Sequence, residues 1–271
     1  TSDKEMKEAR TFLLSDRMKG IAQSCVLYGL FIGVVLLMQS LPRWGALLGK
    51  FSYLIQLGVA WPLALWVGFR WSRGSLTRVF PITRFPLHAA LTLCIASSGI
   101  TILMASAGFL ISKSATIENC LVQHSPVSNR LNVFFPVVLV APLAEELFFR
   151  GLVLRRHLAR YSATTAIWIS AVLFALAHLN LWQAVAALPF GLAYAWLSQR
   201  TGSLTPSILS HITANFSYNF LMAPLVLALG YDEPALRALN QIPLSILIVG
   251  IATVGVGGLV FWRQLAKFPN G

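Results

Sequence analysis

The run Val137-Val138-Leu139-Val140-Ala141-Pro142-Leu143-Ala144-Glu145-Glu146-Leu147-Phe148-Phe149-Arg150 sets two adjacent carboxylates and an arginine in an otherwise apolar stretch. The whole chain has nine acidic residues, and the other seven fall in tails or loops. A carboxylate at the centre of a spanning helix costs about 2.5–3.5 kcal/mol on insertion scales and marks a functional site by default.

The surrounding composition says that this stretch lies in lipid. The 271 residues are 56% hydrophobic and 11% charged, with a mean hydropathy of +0.71. A soluble domain carries about 25% charge, so the apolar excess points to a lipid-facing surface rather than a larger core. The net charge of +12 raises nucleic acid as a partner. No basic cluster is interleaved with aromatics on a soluble module, so the expected partner is the lipid bilayer, with basic loops facing anionic headgroups. Cys25, Cys94 and Cys120 show no C-x-x-C spacing, so neither a disulfide framework nor a zinc knuckle is expected. Residues 1–20 mix Lys4, Lys7, Arg10, Arg17 and Lys19 with four acids. They read as a polar, helical leader to the first span, not as a signal peptide.

Eight apolar segments of spanning or near-spanning length follow, at roughly 21–41, 51–69, 88–112, 133–154, 164–179, 181–199, 206–228 and 243–262. The expected fold is all-α: a polytopic transmembrane bundle of about eight spans, one domain over 21–271. The fifth and sixth segments are almost contiguous and imply a tight helical hairpin. Alternating the loops from a cytoplasmic N-terminus puts 15 Lys and Arg inside and 5 outside, with Arg150 within the fourth span. That asymmetry predicts both termini in the cytoplasm.

Polar residues recur at helical spacing on three of these spans. Glu146 and Arg150 are i and i+4, so they share a face and can pair within one helix. Glu145 points about 100° away and has no cation on its own helix. Pro142, one turn earlier, removes a backbone donor and predicts a kink. Phe174 and His178 repeat the i, i+4 spacing on span five. Span seven opens with Thr205 as the expected N-cap and Pro206 at the first helical position, followed by His211 and Asn215. Each set alone has a bland reading: a buried ion pair that orders helices with Glu145 protonated, or a satisfied core histidine. Together they place a carboxylate, two imidazoles and a carboxamide in an apolar bundle, for which a shared, water-holding cavity is the simplest reason.

Such a set suits water activation. A carboxylate, assisted by His178, can take a proton from water as it attacks a carbonyl, while His211 and Asn215 can donate to the developing oxyanion. No Ser or Cys stands in a nucleophile motif such as G-x-S-x-G. Ser210 adjoins His211, but neighbouring helix positions face apart. Zinc competes, because Glu, His and His are all zinc ligands. H-E-x-x-H is absent, however, and a carboxamide with an arginine suits an anion better than a metal. No cofactor is expected.

The three motifs, Glu145-Glu146-Leu147-Phe148-Phe149-Arg150, Phe174-Ala175-Leu176-Ala177-His178 and His211-Ile212-Thr213-Ala214-Asn215, resemble the CPBP family of CaaX proteases and bacteriocin-processing enzymes, also called Abi proteins. Its pattern is E-E-x-x-x-R, F-x-x-x-H and H-x-x-x-N/D on successive helices. Here all three occur in order, with the expected helix between the second and third, over about 145–215. The resemblance implies a glutamate-dependent intramembrane endopeptidase with a catalytic core at 133–228. It implies Glu145 as the base, His178 as its assistant, His211 and Asn215 as the oxyanion site, and Glu146, Arg150 and Phe174 as supporting residues. The implied substrate is a membrane-associated protein or peptide. The implied location is a membrane, multi-pass, with the bacterial cell membrane suggested by compact loops and Ala/Leu-rich spans. The alternative is a non-proteolytic membrane protein, a transporter or bacteriocin-immunity partner, in which the same residues bind protons or a ligand. No inverted repeat supports a transporter.

Other residues carry plainer expectations. His88 reads as interfacial, His124 as solvated in an outer loop, and His157 as facing headgroups. Trp44, Trp61, Trp66 and Trp71 read as interface anchors or lipid-facing packing. Asp232 and Glu233 read as solvated loop charges. Gly250, Gly255, Gly257 and Gly258 read as points of close helix contact.

Overall fold

Every described element of the computed structural model is helical, as long apolar runs without strand alternation require. The described residues are 61–72, 75–111, 134–179, 181–222 and 244–266, with scattered positions in 20–36 and at 225, 228 and 229. Residues 1–19, 37–60, 112–133 and 230–243 lie outside them, and with them Trp44, Cys120, His124, Asp232, Glu233 and much of the first two expected spans, as does the Trp71 side chain.

The helices are α1 (Trp61–Ser72), α2 (Leu76–Val79) and α3 (Leu87–Ile111). The fourth, α4, is continuous through Phe134–Val140, Ala141–Glu146, Leu147–Leu154 and Arg155–Leu158. Then come α5 (Ala163–Leu176), α6 (Leu181–Thr201), α7 (Thr205–Phe216, continued by Ser217–Leu221) and α8 (Leu244–Leu265). Among the described residues, α3 over Leu87–Ser106 and the whole of α8 are long and apolar enough to cross a membrane, and α5 is apolar but shorter. The α5–α6 hairpin is as tight as expected, and turns through Leu179 at φ 53°. That left-handed conformation is uncommon outside glycine.

Pro142 does not break α4. The backbone stays helical on both sides, and Phe134–Val140 is wound as π-helix immediately before the proline. A second π-helical stretch, Leu147–Leu154, follows the glutamates. Such widened turns occur often at functional sites, and here they flank the charged turn on both sides. The start of α7 also differs from expectation. Leu204 is the N-cap, and the Thr205 hydroxyl donates instead to the Thr83 carbonyl at 2.8 Å, 122 residues away.

Around α4 lies the main core: Phe148, Phe149, Leu152 and Val153, packed with Trp61 and Ala64 of α1 and Phe174 and Ala175 of α5. Trp61 is therefore a core residue and not an interface anchor, whereas Trp66 is 60% exposed, as a lipid-facing side chain would be. Within a bilayer, close fit rather than exclusion of water holds helices together. The α3–α8 pair shows how: a Cβ on Gly257 would sit 2.5 Å from the Ala96 nitrogen, and one on Gly99 would sit 2.6 Å from the Val254 nitrogen. Gly250 is similarly tight against Leu103, but Gly255 and Gly258 have nothing within 4 Å. Two of the four glycines of α8 are thus contact points and two face outward. Gly257→Leu is expected to cost about 1–3 kcal/mol by overpacking and Gly255→Leu almost nothing; thermal melting in detergent checks the difference.

His157 is the clearest departure from the sequence reading. It lies past the apolar run ending at Leu154, yet is 1% exposed, and neither ring nitrogen has a hydrogen-bond partner. Burial pushes its imidazole from 6.5 down to about 4, with Arg156 and Arg160 adding to the effect. The unfolded chain therefore binds more protons than the folded one between those values, and stability falls as pH drops from about 6.5 towards about 4. His157→Phe is expected to flatten that slope, read as the melting temperature against pH.

Candidate active site

The π-flanked turn of α4 brings both glutamates to α7. Arg150 Nη1 donates to Glu146 Oε1 at 2.9 Å, and both side chains are fully buried. Arg150 Nη2 donates to the Gly191 carbonyl of α6 at 3.1 Å. The guanidinium lies 4.5 Å from the Phe174 ring centroid and 5.3 Å from that of Tyr194. A Cβ on Gly191 would come within 3.1 Å of the Ala171 backbone, so the bare glycine lets α6 and its carbonyl approach this closely. The intrahelical pair expected from i, i+4 spacing is therefore present, and it is braced by α5 and α6.

His211 sits between the two carboxylates. Its Nδ1 is 2.9 Å from Glu146 Oε1 and its Nε2 is 3.8 Å from Glu145 Oε2. Glu146 is paired with Arg150 and so is a carboxylate, an acceptor only; Nδ1 must carry the hydrogen and donate. That leaves Nε2 turned towards Glu145, whose side chain keeps 23% of its exposure. The His211 ring stacks on Tyr194 with centroids 4.7 Å apart at 24°, and meets the edge of Phe174 at 5.6 Å. Three contacts thus fix its position.

Asn215, one turn along α7, donates Nδ2 to the Val137 carbonyl at 2.8 Å. Its second amide hydrogen remains available, since an amide carries two. His178 hydrogen-bonds through Nδ1 to the Phe174 carbonyl at 3.1 Å and makes no ion pair with Glu145. His178, His211 and Asn215 line one cavity of about 400 Å³, together with Phe174 and Tyr194. The cavity is apolar along Met104, Ala186, Ala187 and Phe190, and polar at Gln183, Tyr218 and Asn219.

The structure thus gathers Glu145, Glu146, Arg150 and Phe174 around His211, and places Phe174, His178, His211 and Asn215 on one cavity, whose lining does not include the two glutamates. Sequence reasoning overlooked Tyr194, Gln183 and Asn219. Asn219 had a signal: it extends the His211, Asn215 stripe by another four residues, and its Nδ2 donates to the Asn215 carbonyl at 2.8 Å. Tyr194 had only its phenol in an apolar span. Among the described residues no three His, Cys, Asp or Glu side chains are grouped as metal ligands.

The helical bundle thus sets an ion-paired carboxylate and a second carboxylate against one imidazole, His211, which lines the cavity. Residues 127–217 match a family model described as Rce1-like, type II CAAX prenyl endopeptidase Rce1-like. That match places this segment, which contains all three motifs, in the CPBP family. The family is one of integral-membrane proteases acting on membrane-associated peptides or proteins. No curated protein and no solved structure gives a further match.

Proposed function

We propose that the chain is an intramembrane endopeptidase in which Glu145 activates the water that cleaves a peptide bond of a membrane-associated protein or peptide. The observation that carries this reading is the seat of His211: Nδ1 held by Glu146, Nε2 facing Glu145, on the wall of the cavity.

Charge counting gives each group its task. Glu146 and Arg150 neutralise each other. Glu145 and His211 then hold one proton between them, on His211 in the reactive state. Glu145 takes a proton from water as the water oxygen bonds to the substrate carbonyl carbon. His211 Nε2–H and the second Asn215 amide hydrogen donate to the oxyanion. When the C–N bond breaks, Glu145 returns its proton to the leaving amine. A positioned general base contributes about 10²–10⁴-fold and each oxyanion donor about 10²–10³-fold. His178 assists from across the cavity by holding the water. No metal or other cofactor takes part in this scheme. The protein is multi-pass in a bacterial cell membrane with about eight spans and both termini cytoplasmic, in line with the Lys/Arg asymmetry; labelling of a cysteine placed in 113–132 from outside the cell checks the orientation.

The test of function is comparative peptidomics of cells carrying the native chain or Glu145→Gln. Membrane-derived peptides with new termini are expected only with the native chain. Identical peptide sets would turn the reading to proton or ligand binding by the same residues.

A further inference from the structure

A second cavity, of about 220 Å³, lies between the end of α4 and α6, lined by Leu154, Arg155, Leu158, Ser198 and Gln199. It is several times larger than the roughly 30 Å³ that one water occupies in the liquid. It is separate from the candidate active site and shares no residue with its lining.

Two of its polar groups have unmet hydrogen-bonding capacity. Ser198 is 1% exposed, and its Oγ has no partner. Hydroxyls on α3, α6 and α8 show the usual alternative: those of Ser97, Thr101, Ser106, Thr201 and Thr253 donate to the carbonyl four residues earlier at 2.6–2.9 Å. Ser198 does not fold back in this way, so its hydroxyl is left for something in the cavity. Arg155 is anchored by Nη2 to the Gly202 carbonyl at 2.9 Å, while its Nε is buried without a partner. No described carboxylate pairs with it. Buried groups left unpaired in this way call for a ligand, ion or water.

The local charge selects the ligand. The C-termini of α4 and α6 both end nearby, each equivalent to about half a negative charge. Arg155 lines the cavity, and Arg156, Arg160 and Arg200 follow within two residues of its lining in sequence, so that basic charge outweighs those partial charges. The site is therefore net cationic, with a planar guanidinium donor, a hydroxyl and the Gln199 amide around a cavity floored by two leucines. A guanidinium fork with neighbouring hydroxyl and amide donors is the set that recognises phosphate oxygens. We propose that this cavity binds a phosphate group through Arg155 and Ser198, at the point where the apolar run of α4 gives way to its basic end. An anionic lipid headgroup and free inorganic phosphate share that chemistry.

The full chain in detergent is tested in two arms. Native mass spectrometry measures adducts with short-chain phosphatidylglycerol, and a thermal-shift titration uses inorganic phosphate. Saturable phosphatidylglycerol binding is expected, weakened about tenfold or more by Ser198→Ala, the loss of one hydrogen bond to a charged group. Arg155→Gln is expected to weaken it further. Phosphate binding with the same Ser198 dependence and no lipid adduct supports the site and makes free phosphate its source. Absence of both, or equal binding by the native chain and Ser198→Ala, overturns the proposal and leaves a water-filled cavity. Ser198→Ala removes one unpaired oxygen and nothing else, so its fold is expected to survive even if that of Arg155→Gln does not.

Discussion

Arg150→Met is expected to destabilise the protein by about 3–5 kcal/mol, the usual cost of breaking a buried ion pair from one side. The side chain is fully buried and contacts three helices: Glu146 on α4, Gly191 on α6 and the Phe174 ring on α5. Its loss leaves the Glu146 carboxylate in an apolar core with only His211 to meet it. Lysine is expected to fail almost as badly, because an ammonium cannot donate in a fork to Glu146 and Gly191 while stacking on an aromatic face. The double variant Arg150→Met with Glu146→Leu is expected to recover much of the lost stability, since apolar replacement of a whole buried pair is often neutral or better. Thermal melting of the purified proteins checks the order: native, then double variant, then Arg150→Met. The double variant should nevertheless be inactive, because His211 loses the acceptor that fixes its Nδ1 hydrogen. Stability and activity thus separate at this pair.

Glu145→Gln is expected to lower turnover by about 10²–10⁴-fold, with melting unchanged. The carboxylate keeps 23% of its side-chain exposure, and its Oε2 is 3.8 Å from His211 Nε2. Little of the fold therefore depends on it, while the proposed proton transfer depends on it entirely; a carboxamide cannot accept a proton at neutral pH. Glu146→Gln should behave differently, losing stability and activity together, because it leaves Arg150 buried as an uncompensated cation. The contrast follows from the different surroundings of two adjacent, chemically identical side chains. Glu146 is fully buried against Arg150 and His211. Glu145, about 100° round the helix, looks towards His211 from a less crowded side.

Much of this arrangement was legible in the chain itself. The i, i+4 spacing predicts the Glu146–Arg150 pair, and the shared spacing on three spans predicts that His178, His211 and Asn215 face one cavity. Helical periodicity reports the face of a side chain, and these predictions need nothing more. What it cannot report is the partner contributed by a distant segment. The Thr205 hydroxyl goes to Thr83, and Ser170 Oγ goes to the Phe149 carbonyl; both depend on how helices meet. The burial of His157 is of this kind, because a basic stretch after an apolar span reads as a headgroup-facing loop until the end of α4 is seen packed against α5. The π-helical turns are invisible for another reason. They change the register of backbone hydrogen bonds, to which every residue contributes alike, and Pro142 marked only the neighbourhood. Tyr194 stacks on His211 across an interface between α6 and α7; it shares a face of α6 with Gln183, about three turns earlier, but that spacing does not report a partner on α7.

The central claim is that Glu145 is the base, with His211 oriented by Glu146 beside it. Its most direct test is the single-turnover cleavage rate of one identified peptide substrate by native protein and Glu145→Gln, reconstituted in the same bilayer in chelator-treated buffer. The account predicts rapid cleavage by the native protein and a rate about 10²–10⁴-fold lower for the variant. Cleavage by Glu145→Gln at a native rate, or a native rate that collapses in chelator and returns with added metal, would contradict it.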